Sequence, residues 1–210
     1  RLQHGPLMMA LSVARTRNTP IVLVPGVHAD LADDPVTDDI VQAVSQQGVH
    51  VLWGPEEEGK RKTPPSDHIV ATLAHHVNAS RPGRKNVVIT LGATRSPVDD
   101  VRHVQNTSSG STGWALADHL HKHGHDVTCV AGITTVAAPA WLPLVLKCPT
   151  PERMLRECVA LANDPIDAWV HAAAVLDYVV ESPAEGKLAS QQGTLTSVSY
   201  THLTLPTRAQ

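Results

Sequence analysis

The octapeptide "NTSSGSTG" is the segment of this chain whose residue types are best suited to chemistry. It precedes a helix-like run, so Ser108, Ser109 and Gly110 lie where a helix should begin. Backbone N–H groups and the helix dipole at such a point bind anions. The spacing matches neither a GxGxxG nor a Walker phosphate loop. Spacing alone therefore favours anion binding and a plain capped turn equally.

Two further motifs contain groups that could meet a ligand. "GATRSPVDDVR" (92–102) follows a strand-like run, and its Arg95 and Arg102 suit anionic groups. "HAAAVLDY" (171–178) has small residues that let a flat ligand approach the backbone, and it includes Asp177. Composition alone favours a simpler explanation for each motif. The segment 92–102 would be a solvated loop with local Asp–Arg pairs, and the small residues of 171–178 would let a helix pack closely on the sheet.

Four histidines, at positions 119, 121, 123 and 125, invite a metal hypothesis. Only pairs four residues apart share a helix face, and Gly124 should already end the helix. Neither a carboxylate nor a cysteine completes a ligand set. We therefore predict a solvated helix end and no metal bound directly by protein side chains.

Strand-like and helix-like segments alternate along the first eighty residues. Pro20–Val24 and Val49–Trp53 are predicted strands, and Thr37 is the predicted N-cap of a helix between them. Residues 54–67 are charged and rich in proline, so we predict a loop. "SRPGRK", at 80–85, is the predicted linker.

The second half continues the alternation and contains the motifs. Asn86–Leu91 is a predicted strand, and residues 92–109 are predicted as a long polar loop, which is usually functional in a compact domain. The remaining predictions are a helix with Trp114, Ala117 and Leu120 on one face, a strand at Asp126–Val130, a helix capped by Thr150 that buries Met154, Leu155, Cys158 and Ala162, and a strand at Ala168–Ala174. This order predicts an α/β fold with a doubly wound parallel sheet.

Composition limits the classes of partner. The formal net charge is −3 and no segment is strongly basic, so we expect no nucleic-acid partner. No apolar run approaches the roughly 18 residues that span a bilayer, so we expect no membrane partner. Three cysteines without a CxxC pair fit a cytoplasmic location.

Taken together, the motifs resemble one enzyme family. "NVVITLGATRSPVDDVRHVQNTSSGSTG" is similar to the start of phosphopantothenate–cysteine ligase, the synthetase half of the bifunctional coenzyme A biosynthesis flavoprotein. "AAAVLDY" resembles the family's Ala-Ala-Val-x-Asp-Tyr motif, and "EGKL" (185–188) resembles the start of its lysine-rich loop. The resemblance implies a Rossmann-like ligase domain.

The resemblance also implies a reaction. The family activates the carboxylate of 4′-phosphopantothenate with a nucleoside triphosphate, CTP in most bacteria, and releases pyrophosphate. The amine of cysteine then attacks the acyl-cytidylate. Mg²⁺ is expected with the triphosphate. A homo-oligomer built on dimers of the ligase domain is expected for the parent protein.

Roles follow from the resemblance residue by residue. Asn106 matches the family's catalytic Asn, and Lys187 matches the first Lys of the mobile loop, which offsets negative charge as the cytidylate forms. The nucleotide-contacting strand end corresponds to Ala173, Ala174 and Asp177, with Lys187 beside the nucleotide. The substrate and anion site corresponds to Gly92, Thr94, Arg95, Ser108, Ser109 and Gly110.

Departures from the family keep two alternatives open. Ser111-Thr112-Gly113 replaces the frequent Lys-Met-Gly, and Ala189 replaces the second Lys of the loop. One alternative is accordingly a non-catalytic domain that binds nucleotide or phosphopantothenate. The other is an NAD(P)-dependent Rossmann oxidoreductase, which the missing GxGxxG disfavours.

Residues 1–79 resemble the end of the FMN-dependent phosphopantothenoylcysteine decarboxylase, a flavodoxin-like α/β fold. His28 stands where that family has Asn, and "EEEGKRKT" replaces the Cys-bearing clamp. We therefore expect a partial, degenerate segment without FMN or decarboxylase activity. The ligase part is expected at 86–197. Residues 198–210 could form an edge strand, but "VSYTHLTLPT" resembles translated sequencing-adaptor DNA, so we expect a non-native tail after a truncated ligase domain.

Overall fold

The computed structural model of the chain describes residues 5–188 and 197–199. It divides into two compact units. The first extends to Pro82 and includes Lys122–Gly124, and the second comprises Gly83–His121 and the chain from His125 onward.

The first unit is built around two short parallel strands. Strand β1 (Ile21–Leu23) pairs with β2 (Val49–Val51) in register from Ile21↔Val49 to Leu23↔Val51. Two helices, Ala29–Ala32 and Pro35–Ser45, lie between the strands, where the alternation predicted one. The elements of this unit are α1 (Pro6–Thr16), β1 (Ile21–Leu23), α2 (Ala29–Ala32), α3 (Pro35–Ser45), β2 (Val49–Val51), β3 (Glu56–Glu57), β4 (Lys60–Arg61) and α4 (Ser66–Asn78).

Two details of the first unit differ from the sequence prediction. Helix α3 is capped by Asp34, whose carboxylate accepts a hydrogen bond from Val36 N at 2.7 Å, and not by Thr37. Pro35 begins the helix because it needs no N–H partner at that position. The charged loop after β2 contains the hairpin β3–β4, which turns through Glu58 and Gly59 at positive φ.

The second unit contains a four-stranded parallel sheet, whose strands in spatial order are β10 (Ala168–His171), β5 (Asn86–Leu91), β8 (Asp126–Ala131) and β9 (Leu144–Lys147). Strand β5 is central, and the chain leaves it for β8 on one side and returns through β10 on the other. The elements are β5 (Asn86–Leu91), β6 (Arg95–Pro97), β7 (His103–Gln105), α5 (Ser111–Lys122), β8 (Asp126–Ala131), β9 (Leu144–Lys147), α6 (Pro151–Leu161), β10 (Ala168–His171), β11 (Tyr178–Val180) and β12 (Ser197–Ser199).

Both faces of this sheet are covered by a helix. Alternate β5 side chains, including Ile89 and Leu91, pack with Trp114 and Ala117 of α5. On the opposite face Val88 packs with Met154 and Cys158 of α6. A parallel sheet buried on both faces requires the continuous apolar run that "NVVITL" supplies. The predicted doubly wound α/β fold is confirmed.

The predicted loop at 92–109 is partly wrong. It contains the antiparallel hairpin β6–β7, which pairs Arg95 with Gln105 and Pro97 with His103. The strands have three residues each, which is too short for an alternating pattern to be recognised. Strand β10 also ends at His171, before the predicted Ala174.

Helix α6 agrees with its predicted cap. Thr150 Oγ1 accepts a hydrogen bond from Arg153 N at 3.3 Å, and Pro151 begins the helix. The buried side is confirmed for Met154 and Cys158, whereas Ala162 is exposed at the C-cap.

The end of the chain is described in part. The backbone at 197–199 forms β12, which pairs antiparallel with β11. The remainder of the predicted tail, residues 200–210, lies outside the described residues. Over the described part of the chain, none of the helices has the length and apolar character needed to span a bilayer.

Candidate functional site

The carboxyl ends of β5 and β10 meet at the point where the strand order in the parallel sheet reverses. Ala93, two residues after the end of β5, forms a parallel bridge with Ala174 and an antiparallel bridge with Ile133. Ala174 N donates to Gly92 O at 2.8 Å. Open α/β sheets bind their ligands in the crevice at such a reversal. The motifs at 92–102 and 171–178 therefore share the position where a ligand site is expected.

Thr94 joins these two strand ends through a buried hydroxyl. Its side chain is fully buried, and Oγ1 accepts a hydrogen bond from Leu176 N at 2.8 Å. Its backbone N donates to Ala174 O at 3.2 Å. The family resemblance places Thr94 in the substrate site, and in the structure its hydroxyl and backbone N both bind the segment after β10.

Asn106 connects the "NTSSGSTG" loop to the same segment. Its Nδ2 donates to Val175 O at 2.9 Å and to Ala174 O at 3.4 Å. Because a carbonyl oxygen only accepts, the amide must present its nitrogen to both carbonyls. This orientation leaves Oδ1, an acceptor, as the amide atom available to another group.

The hydroxyl loop leads into α5 as the sequence predicted. Ser108 Oγ accepts from Gly110 N at 3.4 Å, and Ser109 Oγ accepts from Ser111 N at 3.3 Å. Gly110 has φ +77°, and a Cβ there would lie 2.5 Å from Thr134 Cγ2. The first turn of a helix has N–H groups without intrahelical acceptors, so this start is suited to an anion.

Gly113 lets α5 approach the central strand closely. A Cβ at this position would lie 2.3 Å from Leu91 Cβ. The start of α5 therefore lies directly against the carboxyl end of β5. Position 113 must remain glycine to keep the hydroxyl loop at the site.

The two arginines of the second motif differ in their surroundings. Arg95 is exposed, and its backbone N donates to Pro149 O at 2.9 Å, which ties the hairpin to the end of β9. Arg102 pairs with Asp99, as the simpler explanation predicted, with Nε 2.9 Å from Asp99 Oδ2. Arg102 is exposed as well, but its charge is paired with Asp99.

Asp99 was not a predicted site residue, yet it organises the tip of the β6–β7 hairpin. Its Oδ1 accepts from Val101 N at 2.9 Å and from Arg102 N at 2.7 Å. The hydrogen bond from the Arg102 side chain, helped by those from backbone N–H groups, holds the pKa of this carboxyl well below its usual range. The Asp-x-x-Arg spacing was visible in the sequence, but its distant partner was not.

The remaining predicted residues lie on segments after β10. Ala173 and Ala174 are half-buried, whereas Asp177 and Lys187 are exposed. His171 ends β10 with its ring stacked on Trp169, and its Nδ1 lies 3.4 Å from Thr90 Oγ1. Partial burial lowers the pKa of this imidazole. Ala189, at the position of the second loop Lys, lies outside the described residues.

Histidine, cysteine and carboxylate side chains are the groups that could hold a metal ion. Within residues 5–188, no three His, Cys, Asp or Glu side chains come together as a metal-binding group. His121 of α5 is buried, so this part of the predicted solvated helix end is wrong. The described side chains therefore do not fit a dedicated Mg²⁺ site. Mg²⁺ usually binds through one or two carboxylates together with phosphate oxygens and water.

Comparison with known proteins gives the family. Residues 83–204 match the family described as DNA/pantothenate metabolism flavoprotein C-terminal domain. The coenzyme A biosynthesis bifunctional protein CoaBC of Thermococcus kodakarensis is 31% identical over 176 residues, which are 83% of this chain and 43% of that protein. CoaBC of Escherichia coli K12 is 25% identical over 181 residues, 82% of this chain and 44% of that protein.

Two solved structures are similar over part of the chain. The C-terminal domain of CoaBC is 30% identical with a TM-score of 0.45, over 50% of this chain and 52% of the other. A DNA/pantothenate metabolism flavoprotein from Streptococcus pneumoniae is 18% identical with a TM-score of 0.48, over 55% and 60%. The chain spans less than half the length of the two CoaBC relatives. The family resemblance is confirmed: this chain belongs to the DNA/pantothenate metabolism flavoprotein family, and residues 83–204 match its C-terminal domain.

Proposed function

We propose that the protein containing this chain acts in coenzyme A biosynthesis as a phosphopantothenate–cysteine ligase that uses CTP. A carboxylate oxygen of 4′-phosphopantothenate attacks the α-phosphorus of CTP, and the bond to pyrophosphate breaks. The cysteine amine then attacks the acyl carbon, a C–N bond forms, CMP leaves and the amine loses a proton. Pyrophosphate, CMP and phosphopantothenoylcysteine are the products.

One observation carries the proposal. The Asn106 amide donates to the carbonyls of Ala174 and Val175, so the catalytic and nucleotide motifs of the family lie together at the end of a parallel sheet. Separate loops with unrelated tasks would not need this connection. The match of residues 83–204 to the family supports the same reaction.

Each residue has a stated task in this proposal. Asn106 meets the acyl intermediate through Oδ1, which can accept a hydrogen bond from the attacking amine. The N–H groups at Ser108–Gly110 and the exposed Arg95 bind the negative charge of the phosphopantothenate phosphate. Ala173, Ala174 and Asp177 line the nucleotide site. Lys187 offsets the charge that develops as the cytidylate forms.

Several further features belong to the proposal. Mg²⁺ accompanies the triphosphate and lowers its negative charge. Dimers of the ligase domain are the proposed assembly. A cytoplasmic location is supported by the free, buried thiols of Cys129, Cys148 and Cys158. FMN belongs to the decarboxylase half of the bifunctional relatives, and the proposal assigns it no task here.

A second candidate is a domain that binds nucleotide or phosphopantothenate without turnover. Ala189 in place of the family's second loop Lys is the specific observation that favours it. This candidate predicts nucleotide binding without release of pyrophosphate.

The deciding experiment measures pyrophosphate release from 4′-phosphopantothenate, Mg²⁺ and CTP, with and without cysteine, by the protein that contains this chain. ATP replaces CTP in a parallel reaction. We expect release with CTP, and phosphopantothenoylcysteine only when cysteine is present. Binding of CTP without release would favour the second candidate, and binding of NADPH in place of CTP would favour an oxidoreductase.

A further inference from the structure

The segment that contains Lys187 is attached to the tip of the β6–β7 hairpin. Asp100 Oδ2 accepts a hydrogen bond from Gly186 N at 3.1 Å, and Asp99 Oδ2 accepts one from Leu188 N at 3.0 Å. The two bonded N–H groups belong to the residues on either side of Lys187. The backbone is therefore held at both neighbours while the Lys187 side chain remains exposed.

Two additional contacts strengthen the attachment. Arg102 Nη2 donates to Leu188 O at 2.8 Å, so both the N–H and the carbonyl of Leu188 are bound by the hairpin tip. Ala184 N donates to Val98 O at 3.0 Å at the start of the segment. The hydrogen bonds that involve a carboxylate or a guanidinium are stronger than neutral ones.

Burial differs between the two carboxylates. The Asp99 side chain is inaccessible to solvent, whereas Asp100 is exposed. The five donors on Asp99 are N–H groups, three from the backbone and two from the Arg102 side chain. A buried carboxylate with this many donors is fixed in one orientation.

We propose that Asp99 and Asp100 are positioning residues that hold the backbone on both sides of Lys187, so that its ammonium group is presented to the nucleotide. Their effect on turnover rests on the proposed ligase function. Their effect on the segment itself does not, and the two effects are measured separately.

The atoms of Asp99 allow a selective substitution. In Asp99→Asn the amide oxygen can still accept from Val101 N and Arg102 N, so the turn at the hairpin tip is kept. The amide nitrogen then faces Leu188 N and the Arg102 guanidinium, which are donors, so the attachment of the segment is lost. Asp100→Ala removes the exposed second contact, and Asp100→Asn retains an acceptor for Gly186 N.

The first measurement is trypsin cleavage after Lys187 in the folded protein, followed by mass spectrometry. Cleavage requires the segment to open, so its rate follows the opening equilibrium. We expect initial cleavage about tenfold faster in Asp99→Asn and about threefold faster in Asp100→Ala. Asp100→Asn and the control Glu181→Gln, an exposed carboxylate on the same stretch, should be cleaved at the wild-type rate.

Unchanged cleavage in both Asp99→Asn and Asp100→Ala would overturn the proposal. If Asp99→Asn fails to fold by circular dichroism, Asp100→Ala with its Asn rescue decides the question, because that side chain is exposed.

The second measurement is pyrophosphate release in the wild-type and Lys187→Gln backgrounds. Asp99→Asn should reduce kcat in the wild-type background and have no additional effect when Lys187 is already Gln. An equal loss in both backgrounds would show that Asp99 does not act through Lys187. Absence of turnover in the wild type would overturn the proposed function, while the cleavage rates would still decide whether the carboxylates hold the segment.

Discussion

Asn106 donates a hydrogen bond from its side-chain amide to the backbone carbonyl of Val175, 69 positions away in the chain, at 2.9 Å. The contact joins the loop before α5 to the segment after β10. Both segments lie at the carboxyl edge of the sheet, where the strand order reverses. The side-chain amide of Asn106 is therefore the most direct target for mutation.

Asn106→Asp should lower ligation by about 100-fold or more while CTP binding is retained. The second carboxylate oxygen would face the carbonyls of Ala174 and Val175, and these acceptors repel each other. Turnover is measured by pyrophosphate release and binding by calorimetry. Asn163→Asp is the matched control, because its Nδ2 also donates to two carbonyls, at the end of α6. Wild-type turnover in Asn106→Asp would contradict the assigned role.

Lys187→Gln should slow cytidylate formation by about tenfold or more, because a neutral amide cannot offset the developing negative charge. The measurement is pyrophosphate release in the absence of cysteine, which isolates the first half-reaction. Lys60→Gln, an exposed lysine of the first unit, is the control. If the first half-reaction is as fast as in the wild type, Lys187 has no part in it.

Thr94→Val should reduce the free energy of unfolding by about 1–3 kcal/mol, because it leaves the buried Leu176 N–H without its acceptor. Thr94→Ser keeps the hydroxyl and loses only a buried methyl group, so about 1 kcal/mol is expected. Urea unfolding measures both variants. A larger loss in Thr94→Ser than in Thr94→Val would show that the methyl group, and not the hydrogen bond, matters at this position.

Gly113→Ala should reduce the free energy of unfolding by about 1–3 kcal/mol, since the new Cβ would overlap Leu91 Cβ. Neither atom is the end of a flexible side chain, so α5 would have to shift. Thr112→Ala, at an exposed position of the same helix, is the matched control. Its free energy of unfolding should equal that of the wild type or be slightly higher. Equal stability of the two variants would contradict the close approach of α5 to β5.

Asp99 should give the protein a pH-dependent stability. Its pKa in the folded protein lies below the ordinary value of 3.8, so it stabilises the fold above that pH and less as the pH falls below it. The difference in free energy of unfolding between wild type and Asp99→Asn should be largest at about pH 7 and shrink at about pH 3. Urea unfolding at both pH values tests this, with Glu181→Gln as the control. A difference that grows on acidification would have the wrong sign.

Much of the fold was predictable because its signals are local. "NVVITL" is apolar throughout, which is what a strand buried on both faces requires, and it forms β5 without a change of bounds. Thr150-Pro151 is a helix start in both sequence and structure. The N-cap of α3 was misplaced because Asp34 and Thr37 are both good caps, and the proline between them favours the earlier one.

The β6–β7 hairpin shows what local signals miss. Its strands are three residues long. Strand β6 buries only its middle residue and β7 buries none, so no hydrophobic period marks them. They are stabilised from outside the hairpin, through contacts such as Val180 N to Ser96 Oγ at 3.0 Å. Such a partner, 84 residues away, leaves no trace in the nearby sequence.

The doubly wound fold and the family can be read from the sequence alone, since residue types and their ordered motifs carry both. Which atoms of those motifs face each other is known only from the folded chain. Asn106 Nδ2 donates to two backbone carbonyls, and Thr94 Oγ1 accepts from Leu176 N. Asp99 and Asp100 accept from the backbone N–H groups of the residues on either side of Lys187. These contacts join residues 68 to 89 positions apart, and such distances are set by how the strands align in the sheet and not by the spacing of residues along the chain.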